Sequence, residues 1–135
     1  MEPRYLLDTN IFIYIRQEKS EELLRRFEKL RPGEAAISVI TYGELIYGAH
    51  KSVHRTTALE QLIELVVLIP ALPLPEGAAE SYGKIRAELE LKGEMIGNND
   101  LWIAAHAMAT GLTLITNDEN EFKRVRGLKT QNWAR

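Results

Sequence analysis

Short apolar runs alternate with longer amphipathic segments along the whole chain. The short runs predict strands at residues 4–7, 35–38, 67–69 and 112–116, with a possible last strand at 128–129. Because strands separated by helices pair in parallel through right-handed crossovers, they imply one sheet with helices on both faces. The sequence therefore predicts an α/β fold: three α/β/α layers around a central, mostly parallel sheet of four to five strands.

Helices are predicted wherever apolar residues recur at three- and four-residue spacing. The expected ranges are 11–16, 20–30, 39–50, 55–65, 75–92, 99–110 and 119–125. Gly93 and Gly111 stand where glycine ends a helix. The chain shows no internal repeat, linker or low-complexity stretch, so we expect one domain over residues 1–135.

Composition excludes several kinds of chemistry. The chain has 135 residues, 45% of them hydrophobic, and no cysteine. Disulfides, thiolate nucleophiles and cysteine zinc sites are therefore excluded. No apolar run approaches the roughly 20 residues of a membrane span, and no apolar signal segment precedes the first strand. We expect a soluble, cytoplasmic protein with no membrane partner.

Four acidic residues lie where the chain passes from one element to the next: Asp8, Glu44, Asp100 and Asp118. Parallel strands end at one edge of a sheet, where open α/β folds bind their ligands, so we expect these side chains to converge. Two carboxylates about 4 Å apart repel by roughly 4 kcal/mol at an effective dielectric near 20. Convergence therefore predicts a divalent cation, Mg²⁺ or Mn²⁺, bound by oxygen ligands.

Each acid also has a purely structural interpretation, because carboxylates at the start of a helix accept backbone N–H bonds and favour the helix dipole. The structural alternatives are Asp8 and Asp118 as helix caps, Glu44 in a capping box with Thr41, and Asn98 or Asn99 as the cap beside Asp100. Taken singly, these alternatives are as good as a metal site. They do not explain why all four acids converge.

Net charge leaves the partner open. The chain has 17 basic and 19 acidic residues, a net charge of −2 and a pI near 6.0. These values are not typical of proteins that bind nucleic acid by charge alone. Setting the four acids aside leaves 17 − 15 = +2. A site neutralised by metal would thus lie in a mildly basic surface.

Four sequence blocks in order resemble the PIN domain, specifically the VapC-type toxin ribonucleases. They are Leu-Asp-Thr-Asn at 7–10, Ser-Val-Ile-Thr-Tyr-Gly-Glu-Leu at 38–45, Ile-Gly-Asn-Asn-Asp-Leu-Trp-Ile-Ala-Ala-His-Ala at 96–107, and Leu-Ile-Thr-Asn-Asp at 114–118. The resemblance implies a metal-dependent endoribonuclease that cuts structured RNA, tRNA included, and is silenced by a VapB-type antitoxin. It also implies that Asp8, Glu44 and Asp100 bind metal, with Asp118 as the more variable fourth acid.

Three further residues match positions that recur near the family's site. Asn10 and Thr116 could orient carboxylates or waters, although capping and strand-end bonding are alternatives. Arg86 could face the acids or bind phosphate, and its alternative is a solvated helix charge. The three histidines lack metal-ligand spacing and receive no catalytic role. The resemblance also implies a homodimer, which the surplus of apolar residues at 11–15 favours.

Two other functions compete with the ribonuclease. A haloacid-dehalogenase-like phosphatase also places an Asp after its first strand, but Asn10 stands where its second Asp would be and no catalytic lysine is evident. A non-catalytic PIN-like module that binds RNA or protein would not need the acids, and all four are present.

Overall fold

A computed structural model describes residues 2–134, in which five strands form one sheet and seven helices surround it. The strands are β1 (Tyr5–Leu7), β2 (Ala35–Ser38), β3 (Ala71–Leu72), β4 (Thr113–Ile115) and β5 (Thr130–Gln131). The helices are α1 (Thr9–Gln17), α2 (Glu21–Glu28), α3 (Val39–Lys51), α4 (Arg55–Leu68), α5 (Gly77–Lys92), α6 (Asn98–Thr110) and α7 (Glu119–Phe122). The predicted domain also includes Met1 and Arg135, which lie outside the described residues.

All strand pairs are parallel, and the strand order is β3-β2-β1-β4-β5. The chain builds β2 and β3 on one side of β1, then crosses to build β4 and β5 on the other side. The order therefore reverses between β1 and β4, where the loops that follow the two strands diverge and open a crevice. The predicted parallel sheet is confirmed, with five strands.

Two apolar cores cover the two faces of the sheet. Leu6 and Leu114 are paired in register and belong to the core formed with α5 and α6, whereas Leu7 and Ile115 belong to the core formed with α1 to α4. Successive strand residues point to opposite faces, so a strand covered on both sides must be apolar throughout. The predicted three-layer arrangement is confirmed.

Helix α1 uses its apolar residues inside the chain. Ile11, Phe12 and Ile15 are buried, and the half-buried Ile13 and Tyr14 pack against the same core. The apolar surplus predicted for this segment therefore leaves no separate apolar face. Within residues 2–134, no helix combines the length and apolar character that crossing a membrane requires.

The third strand predicted at residues 67–69 is wrong. Helix α4 continues through this segment to Leu68, and β3 forms only after Pro70. Ile69 is fully buried while Val67 is 74% exposed. A strand would place both side chains on the same face, whereas a helix separates them by about 200°. An apolar run of this length does not by itself distinguish the two structures.

The last strand also begins later than the sequence predicts, at Thr130 and not at residue 128. Gly127 has a φ of 85° and turns the chain just before it. The first bond to β4 is the one that the Leu114 amide donates to the Lys129 carbonyl, at 2.8 Å. Gly93 and Gly111 end α5 and α6 in left-handed conformation, as predicted.

Candidate metal site at the carboxyl edge of the sheet

Asp8 lies at the reversal point, buried between the ends of β1 and β4. Its amide donates to the Ile115 carbonyl at 3.0 Å, so the hydrogen bonding between β1 and β4 continues one residue beyond the end of β1. One carboxylate oxygen accepts from the Ile11 amide at 2.9 Å, and the other accepts from the Thr116 hydroxyl at 2.5 Å. Asp8 is therefore the cap of α1 and also a fixed, inward-facing carboxylate.

Thr116 connects Asp8 to a second acid. Its buried hydroxyl donates to Asp8 and accepts from the Asp118 amide at 2.9 Å. Asp118 is exposed and caps α7 by accepting from the Glu121 amide at 3.2 Å. The sequence placed Thr116 near the site, and the structure shows the two bonds through which it orders the end of β4.

Glu44 reaches the site from α3, directed by a threonine of α1. The Thr9 hydroxyl donates to a Glu44 oxygen at 2.6 Å and lies 3.2 Å from the Thr41 hydroxyl. The structural alternative of a capping box between Thr41 and Glu44 does not hold, because Ser38 caps α3 by accepting from the Ile40 amide. Glu44 therefore takes no part in capping α3, and its bond from Thr9 joins α3 to α1 at the crevice.

Asp100 lies in the first turn of α6 and is half-buried. The predicted asparagine cap is wrong: Gly97 is the N-cap residue, and no side chain caps the helix. The Asn98 side chain instead accepts from the Tyr82 hydroxyl at 2.7 Å. The Asp100 carboxylate folds back toward the start of the helix, since a Cβ built on Gly97 would lie 3.4 Å from one of its oxygens.

Glu121 is a fifth acid that the sequence did not assign to the site. Its carboxyl group meets that of Asp100, and this hydrogen bond, followed by burial and by the charges of Asp100 and Asp118, raises the pKa of Glu121 to about 8. Its Oε1 is buried and finds no hydrogen-bond donor in the described chain. Two carboxyl groups in contact must share a proton or a cation. The signal available in the sequence was its spacing of three residues after Asp118, which also fits a helix cap.

The acids perturb one another through burial and charge. Burial raises the pKa of Asp8 to about 6, and the bonds from Thr116 and Ile11 oppose part of this shift. Burial also raises the pKa of Asp100, and the bond with Glu121 opposes it. The charges of Glu44 and Asp118 raise the pKa of both Asp8 and Asp100, and the charge of Asp8 also raises the pKa of Asp100. The predicted four acids thus lie close enough to repel, and cationic charge is what the cluster lacks.

The donor set fits a hard divalent ion in an open site. Within residues 2–134, no group of three or more His, Cys, Asp or Glu side chains is placed to hold one metal ion. The cluster instead offers several carboxylate oxygens, among them the buried Oε1 of Glu121 that has no donor. Mg²⁺ and Mn²⁺ use one or two carboxylates and keep several waters, so an open set of oxygen ligands suits them.

The other two predicted supporting residues, Asn10 and Arg86, are exposed to solvent. Asn10 is exposed in the first turn of α1. Arg86 is 47% exposed on α5, where it donates to the Tyr82 hydroxyl at 2.8 Å and lies 3.7 Å from Glu90. His106 is buried with its Nδ1 2.8 Å from the Ser38 hydroxyl, and burial lowers its pKa. It joins α6 to the start of α3.

Comparison with known proteins identifies the class. A family model described as the PIN domain matches residues 5–128, and the chain belongs to the PIN domain family. Among its relatives are Ribonuclease VapC2 of Haemophilus influenzae and the tRNA(fMet)-specific endonuclease VapC of Shigella flexneri. Each is 40% identical over 131 residues, which are 97% of this chain and 98% of the relative. The predicted VapC resemblance is confirmed, and the haloacid-dehalogenase-like phosphatase is set aside.

Solved structures of toxin–antitoxin complexes share the fold. DNA-bound VapBC from Salmonella typhimurium matches with a TM-score of 0.91 and 37% identity, covering 98% of this chain and 99% of that one. VapBC-1 from nontypeable Haemophilus influenzae matches with a TM-score of 0.90 and 37% identity, covering 97% and 98%.

The raised pKa of Asp8 predicts how stability depends on pH without metal. The folded protein holds a proton on Asp8 up to about pH 6, whereas the unfolded chain releases it near its ordinary pKa of 3.8. The free energy of unfolding therefore falls as pH rises through this window, by up to about 3 kcal/mol. Asp8→Asn keeps the cap and lacks this titration, so we expect it to be more stable than wild type at pH 8 and similar at pH 4.

Urea unfolding in EDTA at the two pH values measures this difference. Titration of Glu121 is present in both proteins, so the comparison isolates Asp8. A stability difference that does not change with pH would show that the Asp8 carboxylate is not destabilised by its burial.

Proposed function

We propose that this chain is a metal-dependent endoribonuclease toxin of the VapC kind, which hydrolyses phosphodiester bonds in structured RNA in the cytoplasm. The observation that carries the proposal is the meeting of five carboxyl groups from four helices, α1, α3, α6 and α7, at the β1/β4 reversal point, with raised pKa values for Asp8, Asp100 and Glu121. The relatives that are ribonucleases and a tRNA endonuclease support the same activity.

Asp8, Glu44 and Asp100 would hold Mg²⁺ or Mn²⁺, which when bound supplies an activated water and stabilises charge on the scissile phosphate. Thr9 and Thr116 orient Glu44 and Asp8 by donating to them, so the carboxylates need little reorganisation. The proton that Glu121 shares with Asp100 must leave when a cation is bound there, so metal affinity is expected to rise with pH.

The proposed substrate is structured RNA, with initiator tRNA as the first RNA to assay. Two curated relatives, from Shigella flexneri and Salmonella typhimurium, are named tRNA(fMet)-specific endonucleases and are 40% and 38% identical to this chain. A folded RNA presents exposed loops on a compact shape, which a shallow, open carboxylate site can reach.

Asp8→Asn is expected to abolish cleavage while the fold remains. The substitution removes a metal-binding charge and leaves one amide oxygen that still caps α1 by accepting from the Ile11 amide. The NH2 group that replaces the second oxygen can only donate, so the bond to the Thr116 hydroxyl reverses its direction. Cleavage of initiator tRNA by wild type should also stop in EDTA and return with Mg²⁺ or Mn²⁺. Ca²⁺ should bind and support little cleavage, because its longer, looser coordination positions the attacking water poorly.

Circular dichroism serves as the fold control for Asp8→Asn. Normal cleavage by the folded variant, or undiminished wild-type cleavage in excess chelator, would refute the metal mechanism.

Asp118 and Glu121 are expected to differ in their effect on catalysis. Asp118 is exposed and caps α7, which suits a contact through water, so Asp118→Asn should lower activity by about 10–100-fold and respond to added metal. Glu121 has its carboxyl group against Asp100 and one oxygen without a donor, so Glu121→Gln should cost more and respond less. Metal titrations of cleavage rate measure both. The reverse ranking would make Asp118 the direct ligand.

We propose that a VapB-type antitoxin binds the groove between α1, α3 and α4. The groove has a volume of about 600 Å³, and its lining includes Thr9, Ile13, Arg16, Glu44, Leu45 and Gln61. Glu44 belongs to both the groove and the acid cluster, so a peptide lying in the groove could extend a cationic side chain to the carboxylates. Such a cation would replace the metal's charge and inhibit without unfolding the toxin.

A homodimer is proposed to cover the outer face of α4. Ile63 and Val67, four residues apart on this helix, are 58% and 74% exposed. Adjacent large apolar residues at this exposure are typical of protein interfaces. A two-fold pairing of the same face is the commonest way to bury them.

Co-expression with a neighbouring VapB-type reading frame tests both partners. We expect the toxin to be a dimer by light scattering when free, and the neighbour to co-purify and suppress cleavage. The matched variant Gln61→Arg places a bulky charge in the groove and should weaken inhibition without changing cleavage by the free toxin. A monomeric free toxin would remove the dimer, and a neighbour that neither binds nor inhibits would remove the antitoxin proposal.

A further inference from the structure

Tyr82 of α5 and Trp102 of α6 form a stacked aromatic pair outside the acid cluster. Their ring centroids are 3.9 Å apart and the rings are inclined by 13°. Both side chains are half-buried, and Tyr82 packs on the core formed with α5 and α6. Flat stacking at this distance leaves a broad aromatic surface that the two helices hold rigidly.

Polar groups at the edge of the aromatic pair hold Tyr82 in place. The Tyr82 hydroxyl donates to the Asn98 side chain at 2.7 Å and accepts from the Arg86 guanidinium at 2.8 Å. The guanidinium carbon lies 5.9 Å from the Tyr82 ring centroid. Asn98 and Arg86 are both exposed, so the aromatic surface has an amide and a cation beside it that remain accessible to solvent.

The aromatic pair contacts the helix turn that carries one of the acids. Asn98, which accepts from the Tyr82 hydroxyl, is the first residue of α6, and Asp100 follows two residues later. At a rise of 1.5 Å per residue, both belong to one helical turn. Residues two apart lie on roughly opposite sides of a helix, so the pair and the Asp100 carboxylate flank the start of α6. An RNA strand that crosses the start of α6 can therefore reach both.

Aromatic, guanidinium and amide side chains are the types that commonly bind unpaired bases. Aromatic faces stack on any base, guanidinium groups stack or bind phosphate, and amides bond to base edges. A pair serving only to fill the core would be fully buried with apolar neighbours. Here the rim is polar: it carries an amide and a guanidinium group, the latter 3.7 Å from the Glu90 carboxylate. An exposed guanidinium group held by such an ion pair is still able to stack on a base or bind a phosphate.

We propose that Tyr82, Trp102 and Arg86 form a subsite that stacks an unpaired nucleobase of an RNA strand crossing the start of α6, some nucleotides away from the scissile phosphate. The inference deepens the proposed ribonuclease function and rests on it. The subsite would favour cleavage in loops, where a base can leave its helical stack, over cleavage inside a duplex. It would tolerate any base, because stacking alone does not read base edges.

Tryptophan fluorescence tests the contact directly. The chain has two tryptophans, and the other, Trp133, is 3% exposed and packs edge-to-face on Tyr5. Initiator tRNA is titrated with Mg²⁺ into Asp8→Asn, which binds without cutting, and into Asp8→Asn/Trp102→Phe. We expect saturable quenching in the first protein and little in the second. Binding by gel shift with unchanged fluorescence in both would overturn the proposal.

Kinetics separate a substrate contact from a packing role. Trp102→Leu removes the stacking face and should raise KM for initiator tRNA by roughly 10- to 100-fold while changing kcat much less. Trp102→Phe keeps a ring and should retain most of the affinity. Tyr47→Leu, at an aromatic residue on α3 that is 66% exposed, is the matched control and should leave both constants unchanged. Equal KM values for wild type and Trp102→Leu would overturn the subsite.

Two further results distinguish the alternatives. If Trp102→Leu shifts the oligomeric state in light scattering, the pair belongs to an interface between copies and the subsite is wrong. If wild type cuts no RNA in any divalent metal, the ribonuclease function and the subsite both fall. If wild type cuts RNA and the Trp102 variants cut it equally well, the subsite is wrong and the ribonuclease function stands.

Discussion

The hydrogen bond from Thr116 to Asp8 joins the ends of two strands that are adjacent in space and 108 residues apart in sequence. Asp8 begins α1, and the amide of Asp118, which begins α7, donates to the same threonine hydroxyl. Two helices and two loops therefore take their starting positions from one buried pair of side chains. The reversal of strand order between β1 and β4 creates the crevice, and this bond fixes the position of the Asp8 carboxylate that faces into it.

Holding carboxylates in that crevice opposes folding. The raised pKa of Asp8 corresponds to roughly 3 kcal/mol near neutral pH, against a total stability of about 5–15 kcal/mol for a typical domain. The two apolar cores keep the strand ends in place despite this cost, because Leu6 and Leu7 anchor β1 in opposite layers. A divalent ion would turn the same repulsion into affinity. The feature that weakens the metal-free protein is thus the one that suits it to bind metal.

The sequence predicted the parallel sheet and the region of the acids because both depend on local patterns: apolar runs of strand length and acids at their ends. It failed at residues 67–69, where an apolar run is compatible with helix and strand alike and only tertiary burial decides. Glu121 was missed because its spacing from Asp118 equally fits a helix cap, and its contact with Asp100 depends on how α6 and α7 pack. The sequence also could not predict the stacking of Tyr82 on Trp102, because that contact exists only once α5 and α6 lie side by side. The roles assigned to the acids remain predictions.

The order of the strands in the sheet has a consequence for synthesis of the protein. The central strand β1 is translated first, yet its neighbour β4 begins only at Thr113, and α7 follows at Glu119. Until those residues leave the ribosome, Asp8 lacks Thr116, and Asp100 lacks Glu121. A nascent chain therefore cannot complete the acid cluster until β4 and α7 have left the ribosome.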